Sequence, residues 1–130
     1  MTHPRTCVLD ASALLALAHG ERGADKVAPL VGSAALSSVN WEEVYRRAAA
    51  RGVSGVALRE RLAESGLEIV SFDGSDAETA AELWGRTRHA GLSLADRACL
   101  ALGLRLGVPA VTADRAWAAL DVGVEVVCVR

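Results

Sequence analysis

The sequence is poor in aromatic residues and lysine, which often indicate a binding surface. Aromatic residues make up 4% of the chain, and lysine occurs once, as Lys26 among fourteen basic residues. The formal net charge of −2 argues against a strong, non-specific polyanion binder that carries a basic stripe. Any contact with nucleic acid must therefore be local.

Cysteine and histidine are too scattered to predict a zinc site. The three cysteines lie inside apolar runs without Cys-x-x-Cys spacing, so we interpret them as reduced core residues. The three histidines, His3, His19 and His89, show no metal-ligand spacing. We assign no chemistry to them.

Long apolar runs are also missing. No uncharged apolar run reaches the roughly 18 residues that a membrane-spanning helix needs, and the first apolar segment meets an acid at Asp10. We therefore expect a cytoplasmic protein with no membrane association. The 130 residues, 52% of them hydrophobic, predict a single domain over residues 1–130 with a core of Ala, Leu and Val.

What the chain does contain is a regular alternation of short β-rich runs and longer helical stretches. This alternation predicts an α/β fold with a central parallel sheet of four to five strands. Right-handed crossovers then place helices on both faces, giving three layers. The predicted strands are residues 6–9, 34–39, 67–72, 110–112 and 124–129, and the predicted helices are residues 12–19, 24–31, 40–51, 54–65, 76–89, 94–107 and 115–120.

Four acids lie where predicted strands end or the next helices begin. Asp10 closes the first strand, and Glu43 lies in the opening turn of the helix after the second. Asp96 lies in the first turn of the sixth helix, and Asp114 follows the fourth strand. Open parallel sheets bind ligands beyond the carboxyl ends of their strands, so all four acids fall at the ligand-binding edge.

Each acid also has a purely structural interpretation. The acids after the first and fourth strands would serve as N-caps of the following helices. Asp96 stands three residues after Ser93, the spacing of a capping box, and Glu43 after Asn40 is a near match. Taken one at a time, these positions are explained by capping.

The helix that follows Asp96 favours a site instead. Beyond Arg97 it reads ACLALGLRLG, apolar on nearly every face, which predicts a mostly buried helix. An acid in the first turn of this helix that faces other acids would lie in a poorly hydrated cleft. The pKa of each carboxyl group there would rise unless a cation is bound. Hard oxygen ligands without histidine or cysteine select Mg²⁺ or Mn²⁺ over Zn²⁺. The sequence therefore predicts a divalent metal at this edge.

The chain resembles PIN-domain proteins, and within them the VapC-type toxins of VapBC toxin–antitoxin pairs, in the motifs VLDASALLAL, SSVNWEEV, LSLADRACLALGLRLGVPAVTADRAW and GVEVVCVR. The resemblance covers essentially the whole chain, although residues 52–89 carry no family signature beyond a helical pattern. It implies a PIN-like three-layer fold and a Mg²⁺- or Mn²⁺-dependent endoribonuclease, the toxin of a type II toxin–antitoxin pair.

The resemblance also implies roles for the four acids. Asp10 and Asp96 would be the principal metal ligands, with Asp114 completing the shell directly or through water. Glu43 would orient or deprotonate the attacking water. Because a water attacks rather than the neighbouring 2′-hydroxyl, we expect products with 5′-phosphate and 3′-hydroxyl ends.

Small hydroxyl residues and arginines accompany the acids. Ser12 and Thr112 match hydroxyl positions of the family and would hold a ligand or a water. RNA binding needs local positive charge beside the acids. Four arginines are weak candidates for RNA contacts, with a solvated or ion-paired side chain as the equal alternative: Arg46, Arg47, Arg97 and Arg115.

The expected protein partners also come from the resemblance. It implies a homodimer, neutralised by a small cognate antitoxin that occupies an apolar groove near the first helices. The amphipathic stretches ALLALAHGERGADKVAPLV and NWEEVYRRAAA would form such a groove. Trp41 is either an anchor for that partner or a core residue.

Two other classes of protein stay open at this point. A phospho-aspartate protein also has acids and Mg²⁺ at strand ends, but it needs a lysine near the fourth or fifth strand, and Lys26 lies in an early helix. A catalytically idle PIN-like module would bind metal or a partner without cutting RNA. Metal-dependent cleavage that is lost in Asp10→Asn or Asp96→Asn would exclude it.

Overall fold

The computed structural model describes residues 4–130, so His3 lies outside the described residues. Five short strands form one sheet in the order β3-β2-β1-β4-β5, and every neighbouring pair is parallel. The predicted α/β fold with a central parallel sheet is confirmed. The strands are β1 (Cys7–Leu9), β2 (Ala34–Ser37), β3 (Glu68–Val70), β4 (Ala110–Thr112) and β5 (Val126–Cys128).

Helices provide the connections between the strands. The α-helices are α1 (Ala11–Ala18), α2 (Ala24–Val27), α3 (Ser38–Ala50), α4 (Gly55–Ser65), α5 (Gly74–Thr87) and α6 (Leu94–Leu106). Shorter 3₁₀ helices occupy Ala28–Ser33, Arg88–Ala90 and Arg115–Ala119. Across residues 4–130, no helix is long and apolar enough to cross a membrane.

The structure corrects the predicted boundaries most clearly around α2 and α3. The predicted helix over residues 24–31 is a four-residue α-helix followed by a 3₁₀ helix, because Pro29 has no N–H to donate within a continuing α-helix. The second strand ends at Ser37, which caps α3 by accepting a hydrogen bond from the Val39 amide. The prediction that Asn40 opens this helix is therefore wrong.

The sheet is covered on both faces by separate apolar clusters. Leu9 of β1 packs in the cluster with Leu14 of α1 and Val44 of α3. Val8, the preceding residue, packs on the other face with Leu100 of α6. This alternation follows from the two-residue period of a strand. The three predicted layers are thus two helical layers around one sheet.

Helix α6 is buried in its middle rather than along its whole length. Residues 98–103 are buried, whereas Leu94, Leu104 and Leu106 are exposed. At Gly103 an added Cβ would lie 3.2 Å from Val124 Cγ1 and 3.3 Å from the Val108 carbonyl oxygen, so the absence of a side chain lets this part of α6 pack closely on the segments that precede β4 and β5.

The predicted core cysteines are reduced in the described structure. Cys7 and Cys99 are buried and free, and Cys128 is free but only half-buried. Burial raises the pKa of the Cys99 thiol well above its ordinary value, and the charges of Asp10 and Asp96 raise it further. The thiol is therefore kept neutral beneath the two acids.

The strand order identifies the edge at which a ligand would bind. β1 lies between β2 and β4, so the chain leaves β1 toward one side of the sheet and later returns on the other. In open α/β sheets the crevice at such a reversal is the usual ligand site. Asp10 follows β1 and Asp114 follows β4 at this crevice.

The burial of α6 generates a stability prediction. Leu100→Ala removes a side chain with 0% exposure and should lower the free energy of unfolding by about 2–5 kcal/mol. Leu106→Ala, on the same helix but exposed, serves as the control and should cost under about 1 kcal/mol. Urea unfolding followed by circular dichroism measures both. Equal losses for the two variants would contradict the packing described here.

Candidate active site

Asp10 is a buried carboxylate at the end of β1. Only 3% of the residue is exposed. Its amide extends the sheet by donating to the Val111 carbonyl at 3.0 Å, and its Oδ1 accepts from the Ala13 amide at 2.8 Å as the N-cap of α1. The predicted capping role is therefore confirmed, and it fixes the carboxylate at the crevice.

Two hydroxyl groups hold the Asp10 carboxylate in place. Ser12 Oγ lies 2.8 Å and 2.9 Å from the two carboxylate oxygens, and Thr112 Oγ1 donates to Oδ2 at 2.5 Å. These hydroxyls in turn accept backbone hydrogen bonds: Ser12 from the Ala113 amide at 2.9 Å, and Thr112 from the Asp114 amide at 3.0 Å. The network joins α1 to the chain leaving β4.

The environment of Asp10 disfavours its negative charge. Burial raises its pKa from 3.8 to about 6, and the charge of Asp96 adds to the rise, while hydrogen bonds from Thr112, Ala13 and Ser12 oppose it. All the side-chain hydrogen bonds that Asp10 receives within residues 4–130 come from neutral groups. The ionised form lacks a compensating positive charge.

Asp96 lies in the first turn of α6 and within electrostatic reach of all three other acids. Its Oδ2 accepts a hydrogen bond from the Ser93 amide at 2.9 Å, and the Asp96 amide donates to Ser93 Oγ at 3.1 Å. The two bonds complete the predicted capping box. Burial raises the pKa of Asp96; the Ser93 hydrogen bonds lower it, and the charges of Glu43 and Asp114 raise it. Its charge also acts on Asp10.

Glu43 and Asp114 lie further toward solvent. Glu43 is half-buried on α3 and its Oε2 accepts from Arg47 Nη1 at 3.0 Å, so it is an ion-pair partner rather than a cap. Asp114 is exposed, and its Oδ1 accepts from the Ala116 amide at 3.0 Å as the N-cap of a 3₁₀ helix. The capping interpretation is thus correct for Asp114 and wrong for Glu43.

The residues suit a divalent cation by chemistry, but they do not form a finished cage. Among residues 4–130, no three acidic, histidine or cysteine side chains stand together closely enough to hold a metal ion. The donor set is nevertheless all oxygen, and Asp10 has only neutral hydrogen-bond donors. A cation would offset both the burial of Asp96 and the charges of Glu43 and Asp114, which together raise its pKa. Sharing one ion requires the carboxylates to turn toward it.

The four candidate arginines have different surroundings. Arg97 Nη1 donates to the Ala80 carbonyl at 2.9 Å, so it links α6 to α5, which favours the alternative in which its side chain is held within the protein. Arg46 pairs with Glu42 at 3.0 Å on the exposed side of α3. Arg115 is exposed beside Asp114, with no side-chain hydrogen bond or ion pair in the described part of the chain.

Asn40 supports the site in a way that the sequence did not reveal. It is 1% exposed, and its Nδ2 donates to the Ala95 carbonyl at 3.0 Å. This bond ties the first turn of α3 to the first turn of α6, immediately before Asp96. The only sequence signal was a polar residue available to be buried once Ser37 had taken the cap.

Comparisons with known proteins give one family and several similar structures. The PIN domain family model matches residues 7–123. No curated protein matches the sequence. A toxin–antitoxin complex from Klebsiella pneumoniae has a TM-score of 0.73 and 23% identity, over 96% of this chain and 98% of that one.

Two further solved structures have the same fold. DNA-bound VapBC from Salmonella typhimurium has a TM-score of 0.72 and 16% identity, over 97% of this chain and 99% of that one. FitAcB from Neisseria gonorrhoeae has a TM-score of 0.70 and 20% identity, over 95% of this chain and 98% of that one. At these identities the likeness establishes the fold.

The raised pKa of Asp10 makes stability depend on pH in a defined direction. In metal-free protein the neutral carboxyl is favoured by folding, so its contribution is fully present below the unfolded value of 3.8 and is lost as pH rises through about 6. A rise of this size corresponds to a loss on the order of 3 kcal/mol. Asp10→Asn cannot ionise and should escape that loss.

The measurement is the free energy of unfolding of wild type and Asp10→Asn between pH 4 and pH 7 in the presence of a chelator. The difference between them should move in favour of the variant by about 2–3 kcal/mol as pH rises. Asp121→Asn, which removes a carboxyl group at an exposed position, is the matched control variant. A constant difference for Asp10→Asn would mean that its carboxylate is not penalised by burial.

Proposed function

The chain belongs to the PIN domain family, and from this premise we propose that it is a metal-dependent endoribonuclease and the toxin of a type II toxin–antitoxin pair. The observation that carries the proposal is the position of Asp96, whose charge acts on Asp10 and which is itself acted on by Glu43 and Asp114. The three other acids, Asp10 after β1, Glu43 on α3 and Asp114 after β4, therefore all lie within electrostatic reach of Asp96.

In this proposal Asp10 and Asp96 hold Mg²⁺ or Mn²⁺, with Asp114 completing the set. A bound ion lowers the pKa of a water, polarises the scissile phosphate and offsets charge on the leaving oxygen. Ser12 and Thr112 hold the Asp10 carboxylate in one orientation through their hydroxyls, so we assign them a positioning role rather than a direct hold on a ligand.

Glu43 is proposed to orient the attacking water and take its proton. Its present partner is Arg47, at 3.0 Å, in an ion pair whose arginine side chain is 58% exposed. Such an exposed pair is weak, so a phosphate that approaches Arg47 would release the carboxylate. Substrate binding and the freeing of the base would then be linked.

The alternative is a catalytically idle PIN-like module. The observation in its favour is that, over residues 4–130, no three Asp, Glu, His or Cys side chains lie close enough together to hold a metal ion. Its acids would then serve only as caps and ion-pair partners. An activity assay separates the two proposals directly, because an idle module gives no metal-dependent products.

We expect purified protein to cleave single-stranded RNA when Mg²⁺ or Mn²⁺ is present and to stop when a chelator is added. Asp96→Asn should slow cleavage by at least about 10²-fold, the effect of losing several kcal/mol of transition-state stabilisation. Electrophoresis of labelled RNA gives the rates, and mass spectrometry of the ends should show 5′-phosphate and 3′-hydroxyl.

Asp121→Asn, the exposed control, should cleave at the wild-type rate, and circular dichroism should show that Asp96→Asn is folded. A 2′,3′-cyclic phosphate end would refute attack by water. Unchanged cleavage in folded Asp96→Asn would refute the metal-site assignment, and cleavage of DNA at the same rate as RNA would refute the preference for RNA.

The proposed antitoxin would dock in an apolar groove beside α1. Solved relatives with this fold include a toxin–antitoxin complex and VapBC. A groove of about 380 Å³ lies between Leu17 and Ala18 of α1, the 3₁₀ helix that begins at Ala28, and Leu58 and Leu62 of α4. An amphipathic helix from a small partner would fit such a surface.

The first predicted stretch lines this groove together with α4, whereas the predicted α3 stretch lies outside it. Docking on a surface that includes α3 stays a prediction. Trp41 packs against the core cluster and meets the Tyr45 ring edge-on at 5.8 Å, which favours the core role over the anchor role. Homodimer formation stays a prediction of the family resemblance, and a cytoplasmic location stays a prediction from the sequence.

We expect the product of the reading frame immediately upstream to bind this groove. Ala28→Arg places a long charged side chain in it and should weaken binding by about tenfold or more, a change of at least 1.4 kcal/mol. Ala63→Arg, on an exposed part of α4 outside the groove, should bind normally. Calorimetry on the purified pair measures both, and equal affinities would refute docking at this groove.

A further inference from the structure

Two open depressions flank the acids, and arginines line both. One of about 400 Å³ lies beside α1 and α3 and is lined by Ser12, His19, Glu21, Arg47, Arg51 and Arg130. The other, about 640 Å³, lies beyond β4 and is lined by Arg22, Asp114, Arg115 and Arg130, together with Ala113. Arg130 lines both, so the two depressions adjoin at this residue.

A single carboxylate organises the arginines of the first depression. Glu21 Oε2 lies 3.8 Å from Arg51 Nη1, and Glu21 Oε1 lies 3.8 Å from Arg130 Nη2. Arg130 is held from its other side, where Nε donates to the Arg22 carbonyl at 2.9 Å. Glu21 therefore keeps two guanidinium groups close together at distances too long for hydrogen bonds.

These contacts are suited to exchange with an external anion. The side chains are 44% exposed for Glu21, 57% for Arg51 and 33% for Arg130. Exposed ion pairs of this kind contribute little to stability and are screened by salt. A phosphate can accept several charge-assisted hydrogen bonds from guanidinium groups in a fork geometry, and it would replace the more distant carboxylate.

The depressions meet the acidic crevice at both ends. Ser12 lines the first and donates to the Asp10 carboxylate. Asp114 lines the second, beside the exposed Arg115. A strand that occupied both depressions would therefore lie beside Ser12, which holds Asp10, and beside Asp114. Local positive charge here coexists with the net charge of −2.

We propose that Arg51 and Arg130, spaced by Glu21, and Arg22 and Arg115 beyond Asp114 form a track for the phosphodiester backbone of a single-stranded nucleic acid. An incoming phosphate displaces the Glu21 carboxylate from Arg51 and Arg130. This inference rests on the proposed nuclease function and adds to it the residues that hold the strand on either side of the acids.

The lining also indicates what the track reads. Among the described residues, no Phe, Tyr or Trp side chain lines either depression, and His19 is the one ring that lines the first. Base recognition in single strands depends heavily on stacking against several such rings. Arginine contacts to phosphate position a strand without reading its sequence. The track therefore recognises the backbone, and the choice of cleavage sequence belongs to other contacts.

Removal of the Glu21 charge gives the sharpest test, because the proposal predicts that it increases the affinity for single-stranded RNA. Glu21→Gln frees Arg51 and Arg130 from a competing carboxylate and should tighten binding of single-stranded RNA by about two- to fivefold at moderate salt. Arg51→Ala and Arg130→Ala should each weaken it by about three- to tenfold. Arg59→Ala, at an exposed position on α4 outside both depressions, should stay within about twofold of wild type.

The probe is a fluorescein-labelled RNA of twelve nucleotides, and binding is followed by fluorescence anisotropy with a chelator present so that metal-dependent cleavage cannot interfere. Titrations at several salt concentrations give the slope of log affinity against log salt, which should fall by about 0.7 for each phosphate contact removed. Circular dichroism checks that every variant is folded.

Wild-type affinity in both arginine variants, or weaker binding by Glu21→Gln, would overturn the track. DNA of the same sequence should bind with similar affinity, because the proposed contacts are to phosphates; binding confined to RNA would overturn that assignment, as would tighter binding of a twelve-residue polyglutamate peptide than of RNA. A protein that shows the arginine dependence but never cleaves RNA would refute the proposed function and leave the track standing.

Discussion

The constraint on which the site depends is a carboxylate buried at the end of a central strand with only neutral groups to hold it. Asp10 is 3% exposed, yet it must accept hydrogen bonds from Ser12, Thr112 and the Ala13 amide to be there at all. Those bonds join α1 to the end of β4. Burial, which these hydrogen bonds only partly offset, makes the position unfavourable for charge, and a cation beside the carboxylate would relieve that cost.

Capping and metal chemistry are not competing explanations for these acids. Asp10, Asp96 and Asp114 each cap a helix through one oxygen and a backbone amide. The cap fixes the direction of the carboxylate. The oxygen lone pairs that these hydrogen bonds leave unused are available for another ligand. A helix that begins at the edge of a parallel sheet therefore positions an acid there as a consequence of how it is capped. Structural and chemical roles share one geometry.

The parts of the fold that could be predicted are those encoded by neighbouring residues. The run Ala110–Thr112 is a strand as predicted, and the Ser93 and Asp96 capping box is present, because both depend on spacings of a few residues. The start of α3 could not be predicted, because three nearby polar residues are each suited to the N-cap position. In the structure Ser37 occupies it. Asn40 is then buried against Ala95, 55 residues away, and no local pattern encodes that contact.

The same limit explains why composition understated the positive charge near the site. Arginines at positions 22, 51 and 130 are isolated in the sequence, where each is typical of a solvated side chain, and for Arg115 solvation is an equal alternative to an RNA contact. The parallel sheet brings the segment after α1, the end of α3 and the segments that follow β4 and β5 to one edge. A protein with more acids than bases can therefore hold a basic path beside an acidic centre. Long-range electrostatics would still repel a polyanion weakly, so the attraction must act at contact distance, within roughly one Debye length of 8–10 Å.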